Sequence, residues 1–593
     1  MKDFLKFTLA TLTGLIISGI VLFFFSILMI SSIALSDTAE TTVQENSVFE
    51  LNLQGNLNER SQEDPLAFLL GNDFQSYGLN DVLSSIRKAK ENEHIKGIYL
   101  NAGILNAGIA SLEEIRNELL SFKESGKFIV AYADTYTQGL YYLSSVADKV
   151  LLNPKGMLEW KGLASTPMFY KDLLEKVGIE MQVFKVGIYK SAVEPYISTE
   201  MSDANREQIQ VYLGSVWNQI LQDVSKSRHI SAEKLNSAAD EMMMFHPAEK
   251  SVEYGLIDTL IYRNDVKNYL KKFAGLEDDD HLPMLDLKAM NNVKKIQPKD
   301  KSGHIIAIYY ATGEIVDMSI GSPLSSGENP VINGQKVIKD LKKLKENEDI
   351  KAVVLRVNSP GGSAYASEQI WHAVTELKKE KPVIVSMGDY AASGGYYISC
   401  NADTIVAQPT TLTGSIGIFG MFPNASELTE KLGLDFDVVK TNRYADFGSM
   451  NRPMNAGEKN LMQMYVNQGY DLFLTRCSNG RAMSKEAIDK VAQGRVWTGS
   501  TALELGLVDV LGGLDTALDL AVKKSGVETY TLMSYPKQDS FMETLMNSSL
   551  SGSLKARLLG GSLGNYYRTF QMLENIDRCD RIQARLPFEL NIH

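Results

Sequence analysis

The stretch ENEHIKGIYL, Glu91–Leu100, returns further along the chain as ENEDIKAVVL, Glu346–Leu355, at an offset of 346 − 91 = 255 residues. The same offset carries YYLSSVAD from Tyr141 onto YYISCNAD from Tyr396, Pro154 onto Pro409, Gly178 onto Gly433 and Tyr189 onto Tyr444. The register holds without a gap from about Val82 to Lys190. Beyond it the match weakens, although YGLID at Tyr254 still echoes LGLVD at Leu505. Self-similarity over this length marks two copies of one domain. The polar, lysine-rich NNVKKIQPKDKSG, Asn291–Gly303, reads as the linker between them.

Within a copy, apolar runs alternate with helical patterns. IIAIYYA, AVVLRV, PVIVSM and DTIVAQ read as short buried strands. VIKDLKKLKEN and SEQIWHAVTELKKE have helical spacing with charged outer faces. Strand and helix in alternation predict an α/β fold with mostly parallel pairing, because parallel strands need crossover helices. The expected organisation is 1–45, a cytoplasmic N-terminus and transmembrane anchor; 46–290, the first repeat; 291–540, the second repeat; and 541–593, a C-terminal tail with no assigned role.

A chain of 593 residues can bury more than one core. The net charge of −12 argues against nucleic acid as a partner, since phosphate binding needs a basic surface. Cys400, Cys477 and Cys579 form neither a CxxC pair nor a zinc spacing, and read as inert thiols. The histidines, His304 and His372 among them, are scattered, with no HExxH pair, so no metal or other cofactor is expected. Near the start, Phe7–Ser36 is uncharged and long enough to cross a hydrocarbon core of about 30 Å. Lys2 and Lys6 precede it; Asp37 and Glu40 follow. Positive-inside logic then puts the N-terminus in the cytoplasm and the rest outside. A cleaved signal peptide is the alternative.

Two copies of one fold share the residues that hold the fold, so differences at matched positions can mark divided labour. Ser393, in GDYAASGGYY, maps onto Gln138, while Gly394 maps onto Gly139. NSPGGS, Asn358–Ser363, maps onto GILNAG, so the Gly361–Gly362 pair belongs to the second copy alone. Conversely, Lys190 in VGIYKSAV maps onto Ala445, and Ser415 in TLTGSIGIFG maps onto Trp160. One copy holds the serine and glycines; the other holds the lysine. A lysine has an ordinary pKa of about 10.4, and desolvation can lower it by several units. A neutral Lys190 amine could then take the Ser393 proton, with Ser415 aiming it and the Gly361 and Gly362 amides holding an oxyanion. Each residue also has a plain structural reading. Ser393 could start a helix, Lys190 could be exposed, Ser415 could sit in a turn, and SPGG is a turn signal in itself.

LRVNSPGGSAYASEQI, SMGDYAASGGYYIS, TLTGSIGIFG and VGIYKSAVEP, in these copies and this order, resemble the long, duplicated form of signal peptide peptidase A. The resemblance implies a tandem Clp protease/crotonase-like domain and a Ser–Lys dyad. It implies Ser393 as nucleophile, Lys190 as general base, Ser415 as the lysine's support, and Gly361 and Gly362 as oxyanion donors. It further implies digestion of signal-peptide remnants and other apolar peptides at the bacterial inner membrane, by a homo-oligomer (a tetramer favoured) whose catalytic part is periplasmic. Asp389 departs from the small residue expected there and is expected to alter pocket polarity. Two other readings keep the fold and change the role: a crotonase-like acyl-coenzyme A enzyme, and a non-catalytic membrane scaffold.

Overall fold

The computed structural model describes residues 40–61, 76–294, 302–317, 330–537 and 581–586, together with part of 6–21. The Phe7–Ser36 segment expected to span a membrane therefore lies largely outside the described residues. Among those described, no helix is long and apolar enough to cross a membrane. Most of the tail 541–593 also lies outside them.

The duplication is visible element by element. The helix Leu79–Glu91 has its counterpart in Gly334–Glu346, and Ile109–Lys123 in Ala364–Lys378, both at 255 residues (334 − 79; 364 − 109). Further on, Asp203–Arg228 matches Ala456–Arg481 at 456 − 203 = 253, and Arg263–Ala274 matches Leu514–Ser525 at 514 − 263 = 251. The helices keep their lengths, and small deletions between them account for the fading register.

Each repeat is built on its own sheet. In the first, Ser47–Asn58, Ile95–Asn106, Phe128–Tyr136 and Lys149–Leu158 pair in parallel in that order. In the second, Ile305–Thr312, Ile350–Ser359 and Val383–Ala392 do the same. Their central residues, such as Ile98, Leu100, Val353 and Ile384, have no exposed surface. Parallel strands covered on both faces are apolar almost throughout, which is why they read as continuous apolar runs.

A third sheet, of six strands, draws on both repeats and on the tail: Val331–Asn333, Glu314–Val316, Gly361–Ser363, Ile582–Arg585, Phe419–Asn424 and Glu180–Lys185, in that order. It departs from the mostly parallel expectation. Glu180–Lys185 of the first repeat runs antiparallel to Phe419–Asn424 of the second, and the tail strand runs antiparallel to both its neighbours. These strands are joined by long excursions through other sheets, so no crossover helix imposes a parallel sense.

The repeats are locked together by the first turns of the helix Ile109–Lys123. The Ser111 amide and hydroxyl donate to Asp389 at 2.9 and 2.7 Å. Thr410 donates to Glu113 from its amide and its hydroxyl, at 3.2 and 2.6 Å. Arg356, in the strand Ile350–Ser359, donates to Glu59 at 2.9 Å and to Glu114 at 2.7 Å. Asp389 therefore belongs to the contact between repeats, and the expectation that it alters pocket polarity is corrected. Its carboxylate faces the N-terminal end of a helix, where backbone N–H groups favour negative charge.

Candidate active site

Ser393 ends the strand Val383–Ala392 and begins the helix Gly394–Ser399. Its backbone sits at φ 54°, ψ −110°, outside the regions open to most L-residues. Such a conformation costs on the order of 1–3 kcal/mol and persists only where the surroundings enforce it. Here the Ser393 amide donates to the Gly414 carbonyl at 2.8 Å, and the Ser393 carbonyl accepts from Tyr397 at 2.8 Å. Gln138 is not among the positive-φ residues; it opens the helix Gln138–Ser144 after an extended Thr137. The backbone setting was expected to be shared by the two copies, and that expectation is corrected. The strained turn occurs only where the hydroxyl is.

The first copy's equivalent of the site is filled. Gln138 Oε1 accepts from the Lys161 and Gly162 amides at 3.0 and 2.9 Å. Trp160, at the place of Ser415, is fully buried and donates to the Leu235 carbonyl at 2.8 Å. A long amide and an indole occupy what the second copy leaves as a serine pair.

Lys190 reaches that pair from the first repeat. After the strand Glu180–Lys185 the chain turns at Gly187, φ 97°, where a Cβ would lie 2.4 Å from the Gln493 backbone. The contact holds the turn against the second repeat, and the Tyr189 amide donates to the Gln493 carbonyl at 3.0 Å. Ser191, Asn205 and Gln208 close a buried hydrogen-bonded cluster behind it: Ser191 donates to Asn205 at 2.8 Å and Gln208 to Ser191 at 2.8 Å. Ala445, the counterpart of Lys190, is exposed.

The lysine is fully buried, with Nζ 2.8 Å from Ser393 Oγ, 3.0 Å from Ser415 Oγ and 3.2 Å from the Ser415 carbonyl oxygen. Burial alone pushes its pKa well below the ordinary lysine value. A neutral amine carries two N–H donors and one lone pair. These match the three partners one for one: the lone pair toward the Ser393 hydroxyl, the N–H groups toward the two Ser415 oxygens. In that form Lys190 can accept the Ser393 proton, and Ser393 Oγ can attack a carbonyl. Ser415 is itself at φ 49°, so both serines are presented by unusual backbone.

The fifth and fourth of the expected residues, Gly361 and Gly362, lie on the short strand Gly361–Ser363 beside Ser393. The Gly361 amide donates to Ser359 Oγ at 3.1 Å. A Cβ on Gly361, φ 100°, would lie 2.0 Å from the Ala584 carbonyl oxygen and 2.8 Å from the Gly394 nitrogen. The missing side chain thus lets three backbone segments meet. Sequence reading passed over Gly394, whose amide follows the serine; the analogous amide in a strand-turn-helix serine motif borders an oxyanion. It passed over the tail as well.

Comparison with known proteins agrees with this architecture. The profile of peptidase family S49 matches residues 121–277 and again 375–528, once in each repeat. A Clp protease profile matches residues 326–411, which include the Gly361–Gly362 strand and Ser393. The chain is 34% identical over 567 residues to Protease 4 of Haemophilus influenzae, covering 91% of this chain and 90% of that protein. To Protease 4 of Salmonella typhi it is 36% identical over 500 residues, 82% of this chain and 78% of that one. To the chloroplastic serine protease SPPA of Arabidopsis thaliana it is 32% identical over 551 residues, 92% and 78% of the two chains. With both halves matched and the relatives covered nearly end to end, this chain belongs to peptidase family S49: it is a protease made of two copies of one Clp protease-like domain.

Proposed function

We propose that the chain is a membrane-anchored serine endopeptidase in which Lys190 of the first repeat is the general base for Ser393 of the second. The observation that carries this reading is the 2.8 Å approach of Nζ to Oγ in a fully buried setting. Lys190 takes the hydroxyl proton as Ser393 Oγ attacks the peptide carbonyl, and returns it to the leaving amine. It then activates water against the acyl-enzyme. Ser415 fixes the amine's direction. The Gly362 and Gly394 amides border the developing oxyanion. Gly361 contributes room, since its own amide is directed to Ser359 Oγ.

Substrates lie extended between the edges Gly361–Ser363 and Phe419–Asn424, held through main-chain hydrogen bonds. Cleaved signal peptides and other apolar peptides fit this mode of recognition, and the resemblance to signal peptide peptidase A supports them. The same resemblance and the uncharged Phe7–Ser36 run support a single span in the bacterial inner membrane with the catalytic part periplasmic. No cofactor takes part. Assembly into a homo-oligomer is supported by Leu434, Phe436, Val438 and Val439, which are exposed. They lie in the counterpart of the strand Glu180–Lys185, which in the first repeat is paired.

The test is hydrolysis of an apolar fluorogenic peptide by the wild type and Ser393→Ala. Loss of about 10⁴-fold or more in kcat/KM is expected. Turnover within tenfold of wild type in the variant rules the reading out.

A further inference from the structure

The tail strand Ile582–Arg585 fills the gap between the two edges that flank Ser393. It pairs antiparallel with Gly361–Ser363 on one side, Gly362 opposite Ala584, and with Phe419–Gly420 on the other, Gln583 opposite Phe419. The Leu586 amide donates to the Pro360 carbonyl at 2.7 Å, and the Met421 amide to the Arg581 carbonyl at 3.1 Å. Pro360–Leu586 is thus a hydrogen-bonded pair, and Gly362–Ala584, two residues along, falls in the same class. This directs the Ala584 carbonyl toward the Gly362 edge. A Cβ on Gly361 would lie 2.0 Å from that oxygen, and one on Gly394, the residue after Ser393, 3.1 Å from it. The Ala584 methyl is fully buried, in the same apolar cluster as Ile315, Ala391 and Ile418. Arg585 points away toward Glu314, at 3.4 Å. One carbonyl of the chain itself therefore occupies the position that an attacked carbonyl needs, with a small side chain in the enclosed subsite.

We propose that the Ala584–Arg585 bond is a self-processing site, an inference that rests on the Ser393–Lys190 reading. Ser393 Oγ attacks the Ala584 carbonyl carbon and its proton passes to Lys190. The C–N bond to Arg585 breaks, and the Arg585 nitrogen takes that proton. One water then hydrolyses the Ala584 ester, which regenerates the Ser393 hydroxyl and leaves Ala584 as a C-terminal carboxylate. The products are the chain ending at Ala584 and the peptide RLPFELNIH, 593 − 584 = 9 residues. Its loss removes Arg585 and Leu586 from the sheet, which loosens the strand and clears the cleft for other peptides.

Intact-mass measurement on the full chain, as wild type, Ser393→Ala and Ala584→Trp, tests this, with apolar-peptide hydrolysis measured in parallel. The expected result is wild type ending at Ala584, Ser393→Ala extending to His593, and Ala584→Trp processed at least tenfold more slowly while its fold is retained. A wild type that hydrolyses peptide but keeps its tail, or is cut at another bond, overturns the self-processing site and leaves the dyad standing. A wild type that neither hydrolyses peptide nor loses its tail overturns both. Trimming at Ala584 in Ser393→Ala assigns the cut to another protease and also overturns the proposal.

Discussion

At the scale of single residues, the site depends on a lysine stripped of water. The amine has hydroxyl and carbonyl partners, and the cause acting on its pKa is desolvation. This has a consequence for stability that activity assays do not see. Unfolded, Lys190 keeps its proton up to about pH 10.4; folded, it gives it up well below that. Between the two values the unfolded state holds the extra proton, so wild-type stability rises with pH across that window. Lys190→Met removes the term. Denaturant unfolding should show the Met variant gaining most on the wild type at and below the folded pKa, with the gap closing toward pH 10. Parallel pH profiles for the two proteins would contradict this. Ser393, Lys190 and Ser415 were legible in the sequence because the other copy has Gln138, Ala445 and Trp160 in their places. Gly394 was not legible, because its counterpart Gly139 is also glycine and only the strained turn at Ser393 tells them apart.

At the scale of elements, catalysis across two repeats requires that the repeats do not slide. The helix Ile109–Lys123 does this with Ser111, Glu113 and Glu114, all buried against the second repeat. Burial pushes the Glu113 carboxyl up to about 8, partly offset by the Thr410 hydroxyl. Arg356 balances Glu59 and Glu114 with all three side chains buried. Replacing Arg356 by Leu leaves two buried carboxylates uncompensated, which costs roughly 3–5 kcal/mol. A lowered denaturant midpoint of that size is expected, and a change below about 1 kcal/mol would mean that the pair does not clamp the repeats. The helices and strands of both repeats were legible, since their period and their duplication agree. The clamp was not: acidic residues on a helix look solvent-facing until a partner such as Arg356, far away in the sequence, is placed against them.

At the scale of the whole molecule, the first repeat lends a strand and a lysine to the second, and the second has an equivalent segment with nothing to lend it to in this chain. Val439, in that segment, is 98% exposed, whereas Phe184, its counterpart at 439 − 255, is buried against Phe422. A second copy offering residues 164–169, the counterpart of Phe419–Asn424, would complete the same pairing. Val438→Asp with Val439→Asp should convert an oligomer to monomers in light scattering, since burying two carboxylates opposes the contact. An unchanged mass would move the interface elsewhere. Neither this strand nor the tail strand Ile582–Arg585 could be read from local sequence. Each is only a few residues long, and what makes it a strand is an edge supplied by a distant part of the chain.

Division of one site between two halves of one chain is the central claim. Its most direct test is the rate at which a fluorophosphonate labels Ser393, followed by intact mass from pH 6 to 10 in the wild type and Lys190→Ala. The account predicts a wild-type rate that rises with pH through one ionisation well below 10.4. It predicts a Lys190→Ala rate lower by about 10²-fold or more, without that ionisation. Labelling of Lys190→Ala at the wild-type rate, with the same pH profile, would contradict it.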